Sequence, residues 1–378
     1  VQHNALLGMI TMQSWMFLSS FENLRRKLLA YSAIETMAHL GAGAFDSIGG
    51  EVVSTTAFTL KNSPSNGKGV YIRLVDVSGD ENQAKACIKA SQDDVDYRFE
   101  IDQCEFTQIP SFPIVYWLSK SILDTFIKGK RLGAVAKPRE GLSTANKSLF
   151  LREWWEIDKS KVAFECSGHD EALKNGKKWF MHNKGGEYRK WYGNQEYVVN
   201  WEKDGYALSE FRPRSVIRNP DTYFRPSISW SMISSSAPAF RYFPQGFIYD
   251  VAGPSIFCAK GKIDGLISFL NSSLAYSQLN AIAPTMNFVV GQIAALPYIN
   301  SGSKEVAQNV SGLIVESKSD WDSYEMSWDF QQFALFDSDQ GAQAGDSLED
   351  AVSHLREYWD RAAKEQRQRE IRNNELVA

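Results

Sequence analysis

The side chains best suited to chemistry with a polyanion follow a Gly-Gly pair in the middle of the chain. Gly185-Gly186 precedes Arg189, Lys190 and Trp191. A guanidinium can bind a base edge, an ammonium can neutralise a phosphate, and an aromatic ring can stack on a base. For any single arginine, phosphate contact or plain exposure is the more common role. The side chains predicted to contact a nucleic acid are Lys184, Arg189, Lys190, Trp191, Arg212, Arg214, Arg225 and Arg241.

Charge is unevenly distributed along the 378 residues. The segment from Pro110 to Lys260 contains 23 of the 41 Lys and Arg but only 15 of the 45 Asp and Glu, a net charge of +8. The other 18 basic and 30 acidic residues give the flanks a net charge of -12. A basic middle between acidic flanks predicts a separate domain that faces a polyanion, although a solvated surface with a chance imbalance is an equally good interpretation of charge alone.

Metal and membrane chemistry have little support in the sequence. The four cysteines, Cys87, Cys104, Cys166 and Cys258, are scattered, and the five histidines do not flank them at zinc-ligand spacing. We therefore expect reduced thiols, a cytoplasmic protein and no bound metal. No signal peptide is visible, and no apolar run reaches the length of a membrane span, so we expect no membrane partner.

The first part of the chain has the pattern of alternating strands and helices. The apolar run 6–12 predicts a buried parallel strand, and residues 17–29 have the apolar spacing of an amphipathic helix. Strands are predicted at 34–40, 52–60 and 70–75. This order is typical of half of a doubly wound sheet closed by a hairpin.

A glycine-rich segment, His39 to Asp46, invites interpretation as a cofactor-binding loop. Such a loop requires a helix directly after it and an acidic residue about 20 positions further on. Here Gly49-Gly50 and a β-branched run follow instead. The sequence therefore favours a turn between two antiparallel strands.

Four regions follow from these patterns, and the fold class is α/β. Residues 1–78 form the C-terminal half of a Rossmann-like sheet, and residues 79–136 form a connector. Residues 137–300 form a mixed α/β, basic domain in which 263–279 is helical. Residues 301–378 form a helical C-terminal region.

Four longer strings carry a resemblance to a known family. They are residues 9–20 (MITMQSWMFLSS), 44–53 (AFDSIGGEVV), 183–194 (NKGGEYRKWYGN) and 319–330 (SDWDSYEMSWDF). Together they resemble the adenine-specific DNA methyltransferases of bacteriophage-exclusion (BREX) systems, the PglX family. The resemblance extends over nearly the whole chain.

The resemblance implies methyl transfer from S-adenosylmethionine to the N6 amino group of adenine in duplex DNA, with other phage-exclusion proteins as partners. The family's catalytic tetrapeptide, Asn-Pro-Pro-Tyr or a variant, is absent; Asn219-Pro220-Asp221-Thr222 is not one. We expect that motif and the cofactor-binding loop to lie before Val1, so that this fragment alone is inactive. In similar enzymes a phenylalanine at the place of Phe45 stacks on the flipped adenine, although a core phenylalanine remains an alternative.

Two other classes of protein fit part of the pattern. A DNA-specificity module would need the basic domain but not half of a Rossmann-like sheet. A fused restriction-methylation enzyme would carry a nuclease that this chain does not show. The sequence favours the methyltransferase over both.

Overall fold

The computed structural model describes residues 2–42, 44, 53–234, 237–282, 286–299, 302–341, 343 and 346–377. The chain divides into two compact units. The N-terminal unit comprises Val1–Gly129 and Gln278–Pro284, and the C-terminal unit comprises Lys130–Ser277 and Thr285–Ala378. The architecture is mixed α/β with a helical C-terminal region, which confirms the predicted fold class.

The N-terminal unit is built on one five-stranded sheet with the order β1-β3-β2-β4-β5. β3 is antiparallel to both of its neighbours, β2 and β4 are parallel, and β5 is antiparallel to β4. Its elements are β1 (Leu6–Met12), α1 (Glu22–Tyr31), β2 (Ala33–Gly41), β3 (Thr55–Lys61), β4 (Lys68–Arg73), α2 (Asp80–Gln92), β5 (Arg98–Asp102) and α3 (Lys120–Lys128).

The first strand is where predicted, but its surroundings differ from the expectation. β1 pairs antiparallel with β3, and it lies at the edge of the sheet. Leu6 and Ile10 are 69% and 60% exposed, so the prediction of a buried parallel strand is wrong. An apolar run identifies a strand without showing how many neighbours cover it, which is why composition misjudged its burial.

The C-terminal unit contains a sheet ordered β14-β10-β11-β8, with β9 beside β10, a second sheet ordered β13-β12-β15-β7, and the pair β16-β6. Its strands are β6 (Lys130–Arg131), β7 (Lys137–Arg139), β8 (Leu151–Glu153), β9 (Val162–Ala163), β10 (Trp179–Asn183), β11 (Tyr197–Asn200), β12 (Ser227–Trp230), β13 (Phe240–Phe243), β14 (Ile248–Tyr249), β15 (Ser255–Phe257) and β16 (Pro297–Tyr298). Its helices are α4 (Leu132–Val135), α5 (Lys147–Phe150), α6 (His169–Lys174), α7 (Glu202–Glu210), α8 (Ile263–Leu270), α9 (Ser273–Ile282, which continues into the N-terminal unit), α10 (Val290–Ala295), α11 (Lys304–Asp322) and α12 (Leu348–Val377).

The helical C-terminal region begins at a side-chain cap. Ser303 caps α11, because its hydroxyl accepts a hydrogen bond from the Val306 backbone N–H at 3.1 Å.

The single helix predicted over 263–279 is instead two helices, α8 and α9. Between them the Asn271 side chain accepts from the Phe240 N–H at 3.0 Å and donates to the Phe240 carbonyl at 2.9 Å, which ties this junction to β13.

Tryptophan is concentrated in the core of the C-terminal unit. Trp191, Trp201, Trp230 and Trp321 are among its largest fully buried side chains. Burial of such large rings stabilises the unit and explains much of the high aromatic content. Across the described part of the chain, every helix is too short or too polar to span a lipid bilayer.

Candidate nucleic-acid interface

The Gly-Gly string predicted to contact DNA lies in one loop, residues 184–196, which joins the antiparallel strands β10 and β11. We call it the 184–196 loop. Its backbone turns sharply several times, with φ of +75° at Gly185 and +117° at Gly193, where a side chain would be strained. A Cβ at Gly193 would lie 2.4 Å from the Arg189 side chain. The glycines therefore permit a compact, closely packed loop rather than an open one.

The loop exposes a short tip. Gly186, Glu187 and Tyr188 are exposed, and Tyr188 has 55% of its surface accessible. Within the described residues, the Glu187 carboxylate and the Tyr188 hydroxyl make no hydrogen bond to the chain. The tip thus presents a carboxylate and an aromatic ring to solvent. We call residues 186–188 the loop tip.

Side chains from the core hold the backbone around the loop tip. Ser231 Oγ donates to the Gly186 carbonyl at 2.6 Å, and Asn194 Nδ2 donates to the Glu187 carbonyl at 2.8 Å. Arg241 Nη1 donates to the Arg189 carbonyl at 3.1 Å. Because two carbonyls of the tip and the next one along the chain have fixed partners, the tip has a defined conformation despite its exposure.

The residues after the tip bind the C-terminal helices. Arg189 Nη1 lies 2.7 Å from Asp320 Oδ2, and its guanidinium lies 5.1 Å from the centre of the Trp321 ring. Lys190 Nζ lies 2.9 Å from Glu370 Oε2. Both basic side chains are about one-quarter exposed and already have carboxylate partners. A phosphate would therefore compete with α11 and α12 for these charges.

Two of the predicted contact residues are core residues instead. The Trp191 and Arg241 side chains are fully buried, and Trp191 Nε1 donates to Glu370 Oε1 at 2.5 Å. Burial lowers the pKa of Arg241 to about 10, and the nearby Glu196 carboxylate opposes that shift. This corrects the expectation of direct DNA contact, because neither side chain has surface with which to reach a duplex. Sequence pattern alone could not separate a buried arginine from an exposed one.

The remaining predicted residues are accessible. Arg212, Arg214 and Arg225 are exposed. Lys184 is partly buried, and its Nζ lies 4.6 Å from the centre of the Tyr197 ring. Burial lowers the pKa of Lys184, and repulsion from Lys147 lowers it further. Among the described residues, these four of the eight predicted side chains form no ion pair with a carboxylate.

The N-terminal unit has a cavity, lined by both polar and aromatic side chains, that the sequence did not reveal. At the carboxyl end of β2, a space of about 290 Å³ is lined by Gln13, Phe17, His39, Arg73 and Trp117, among others. His39 Nε2 donates to Gln13 Oε1 at 2.6 Å, and Nδ1 accepts from the Tyr116 hydroxyl at 3.0 Å. Burial lowers the pKa of His39 to about 4, so the ring is neutral at physiological pH.

Phe45, the predicted stacking residue, lies outside the described residues. The strands on either side of its segment, β2 and β3, are antiparallel partners. Within the described ranges, no group of three His, Cys, Asp or Glu residues is arranged to hold a metal ion.

Comparison with known proteins identifies relatives of this chain among the adenine-specific methyltransferases. No family model matches the chain. It is 38% identical over 389 aligned residues to the adenine-specific methyltransferase PglX of Lacticaseibacillus casei (strain Zhang), an alignment that covers 100% of this chain and 31% of that protein. It is 36% identical to the adenine-specific methyltransferase BrxX of Escherichia coli O9:H4 (strain HS), over 89% of this chain and 27% of that protein. These matches confirm the resemblance to the PglX family, and the chain spans about a third of the length of these relatives.

Solved structures of restriction-modification enzymes are also similar. One is a nuclease-deletion mutant of the Type ISP enzyme LlaGI in complex with a DNA substrate mimic, with a TM-score of 0.45 and 10% identity over 84% of this chain and 35% of that one. Another is the Type IIL enzyme MmeI in complex with DNA, with a TM-score of 0.43 and 10% identity over 98% of this chain and 49% of that one.

Proposed function

We propose that this chain is the target-recognition portion of a site-specific adenine DNA methyltransferase that acts in phage defence. The observation that carries the proposal is the 38% identity to PglX along the entire chain. The reaction would be methyl transfer from S-adenosylmethionine to the N6 amino group of adenine in duplex DNA. The cofactor would be bound by a part of the longer polypeptide outside this chain.

We assign a separate role to each of the regions predicted from the sequence. Residues 1–78 would contribute to the catalytic domain, where Phe45 would stack on the flipped adenine. Residues 137–300 would form the target-recognition domain, and residues 301–378 would support it. The protein would act in the cytoplasm on duplex DNA, together with other phage-exclusion proteins.

DNA contact is proposed for the accessible basic side chains. The segment 110–260 has 23 basic against 15 acidic residues, and Arg212, Arg214 and Arg225 in it are exposed. Exposed guanidinium groups can bind phosphates without first breaking an internal ion pair. Arg189 and Lys190 would need to exchange Asp320 and Glu370 for phosphate, so we assign them a secondary role in binding.

The experiment is a titration of the whole chain with fluorescently labelled duplex DNA at two salt concentrations. Phosphate neutralisation releases counterions, so affinity should fall steeply between about 50 and 200 mM salt. A random-sequence duplex library, selected in parallel, should yield one preferred site. Affinity that does not change with salt, or a selection without any enriched sequence, would contradict the proposal.

A further inference from the structure

The loop tip, residues 186–188, is the exposed part of the 184–196 loop, and within the described residues its side chains make no hydrogen bond or ion pair with the chain. Glu187 and Tyr188 follow Gly186, and both are exposed. Directly after them, Arg189 and Lys190 are paired with Asp320 and Glu370. The groups available to a partner molecule are therefore a carboxylate and a phenol ring rather than the neighbouring cations.

Buried or half-buried side chains hold the backbone of the tip and of Arg189 directly after it. Ser231, Asn194 and Arg241 each donate to one carbonyl, at 2.6, 2.8 and 3.1 Å. Asn194 is 5% exposed and Arg241 is fully buried, so these anchors belong to the core. Recognition by hydrogen bonds needs groups whose positions are fixed before binding, because ordering a mobile loop costs free energy.

A second layer of contacts fixes the end of the loop to α12. Glu370 accepts hydrogen bonds from both Lys190 and Trp191. The helix is itself anchored, because Asn373 Nδ2 donates to the Ser268 carbonyl at 3.0 Å and the Ser268 hydroxyl donates to Asn373 Oδ1 at 2.7 Å. Glu370 is therefore placed by the core, and it in turn positions the residues that follow the tip.

We propose that Glu187 and Tyr188 determine sequence specificity by contacting bases, and that Asn194, Arg241 and Glu370 are positioning residues for them. The inference rests on the proposed DNA-binding function. A carboxylate in the major groove accepts a hydrogen bond from the cytosine amino group, and an aromatic ring packs against or between bases. A carboxylate near phosphates is otherwise unfavourable, so an exposed glutamate on a basic domain fits base recognition rather than phosphate binding.

The test uses the whole chain, a random-sequence duplex library, and variants Glu187→Gln, Tyr188→Ala and Asn194→Ala. Matched controls are Glu210→Gln and Tyr206→Ala, which alter exposed side chains at other positions in the same unit. For Glu187→Gln, affinity for the selected duplex should fall about tenfold. Its affinity for unrelated duplexes should stay equal or rise, because a negative charge has been removed. Tyr188→Ala should alter the enriched sequence at the one base-pair step that the ring contacts.

Asn194→Ala should also reduce discrimination between the selected duplex and unrelated duplexes, although Asn194 is buried. If Asn194→Ala folds poorly, Ser231→Ala tests the same positioning role with a smaller change. A merely structural role would weaken binding to all duplexes equally and lower the thermal midpoint. If Glu187→Gln and Tyr188→Ala enrich the wild-type sequence with wild-type discrimination, the inference is overturned while the proposed function stands. If the wild-type chain binds no duplex, the proposed function fails and the inference with it.

Discussion

Glu370 accepts hydrogen bonds from Trp191 Nε1 at 2.5 Å and from Lys190 Nζ at 2.9 Å, and so joins the 184–196 loop to the last helix of the chain. Its carboxylate receives one neutral donor and one cation, each from a residue about 180 positions away in sequence. The C-terminal helix therefore helps to hold the loop that contains the predicted DNA-contact residues.

Glu370→Gln should destabilise the C-terminal unit. The substitution removes the charge that pairs with Lys190, whose side chain is only 26% exposed, and replaces one of the two acceptor oxygens by an NH2 group that cannot accept from Lys190 or Trp191. Loss of a hydrogen bond to a charged group at a half-buried site costs about 1.5–3 kcal/mol. Urea unfolding measures the change. Glu365→Gln, at an exposed position on the same helix, is the control and should leave the midpoint unchanged.

Arg241→Met should lower stability, whereas Arg214→Ala should change DNA binding alone, although both arginines were predicted to contact DNA. Arg241 is fully buried and bonds the Arg189 carbonyl and the Ser231 hydroxyl, so its loss should lower stability by about 1.5–3 kcal/mol. Arg214 is exposed, so its loss should leave stability unchanged and reduce the salt slope of DNA binding by about one. Thermal unfolding and titration at several salt concentrations distinguish them. Equal salt slopes for Arg214→Ala and wild type would remove Arg214 from the proposed interface.

Acid should destabilise the N-terminal unit through His39. Its pKa is about 4 in the folded chain and 6.5 in the reference state, because burial disfavours the charged ring. The unfolded chain therefore binds the proton more readily. The stabilisation is complete above pH 6.5 and is lost as pH falls towards 4, a change of about 3 kcal/mol.

His39→Gln should flatten this part of the stability profile, whereas the exposed His3→Gln should not. Chemical denaturation between pH 4 and pH 7 measures the difference between the variant and wild type, which cancels contributions from carboxylates common to both. An unchanged slope in His39→Gln would show that the ring is not the group responsible.

Phe45→Ala should slow methylation without changing the recognised sequence, in an enzyme assembled around this chain. Stacking on a flipped base is indifferent to neighbouring base pairs, and its loss costs about 1–3 kcal/mol. Single-turnover methylation rates and sequencing of the modified adenines, at matched protein concentrations, measure both effects. A changed recognition sequence would assign Phe45 to target reading instead.

The sequence predicted the strand and helix order of the first 75 residues because hydrophobic periodicity reports local structure directly. β1, β2, β3 and β4 all lie at or near their predicted positions. It missed β5, because Arg98–Asp102 is a short, polar segment within the region interpreted as a connector. It also misjudged the burial of β1, since burial depends on which neighbours cover a strand.

The contacts of the 184–196 loop could not be predicted from the sequence. The sequence singled out the string 183–194 for its Gly-Gly pair, basic residues and aromatic rings, but the burial of Trp191 depends on α12 and on β13, the strand that contains Arg241. Neither element is close to the loop in sequence. The exposed tip at Glu187 and Tyr188 emerged only once the partners of Arg189 and Lys190 were known, because an ion pair across 131 residues leaves no local signal.

The most direct test of the proposed function is a chimaera in which this chain replaces the matching third of Lacticaseibacillus casei PglX, with which it is 38% identical. Cells that express the chimaera would be analysed by sequencing methylated adenines, with native PglX and a chimaera carrying Glu187→Gln in parallel. The account predicts N6-methyladenine at the duplex sequence that this chain selects in vitro, and a loss of preference for that sequence in the Glu187→Gln chimaera. A soluble chimaera that methylated a sequence other than the one this chain selects, or that bound S-adenosylmethionine and its selected duplex without methylating adenine, would contradict it.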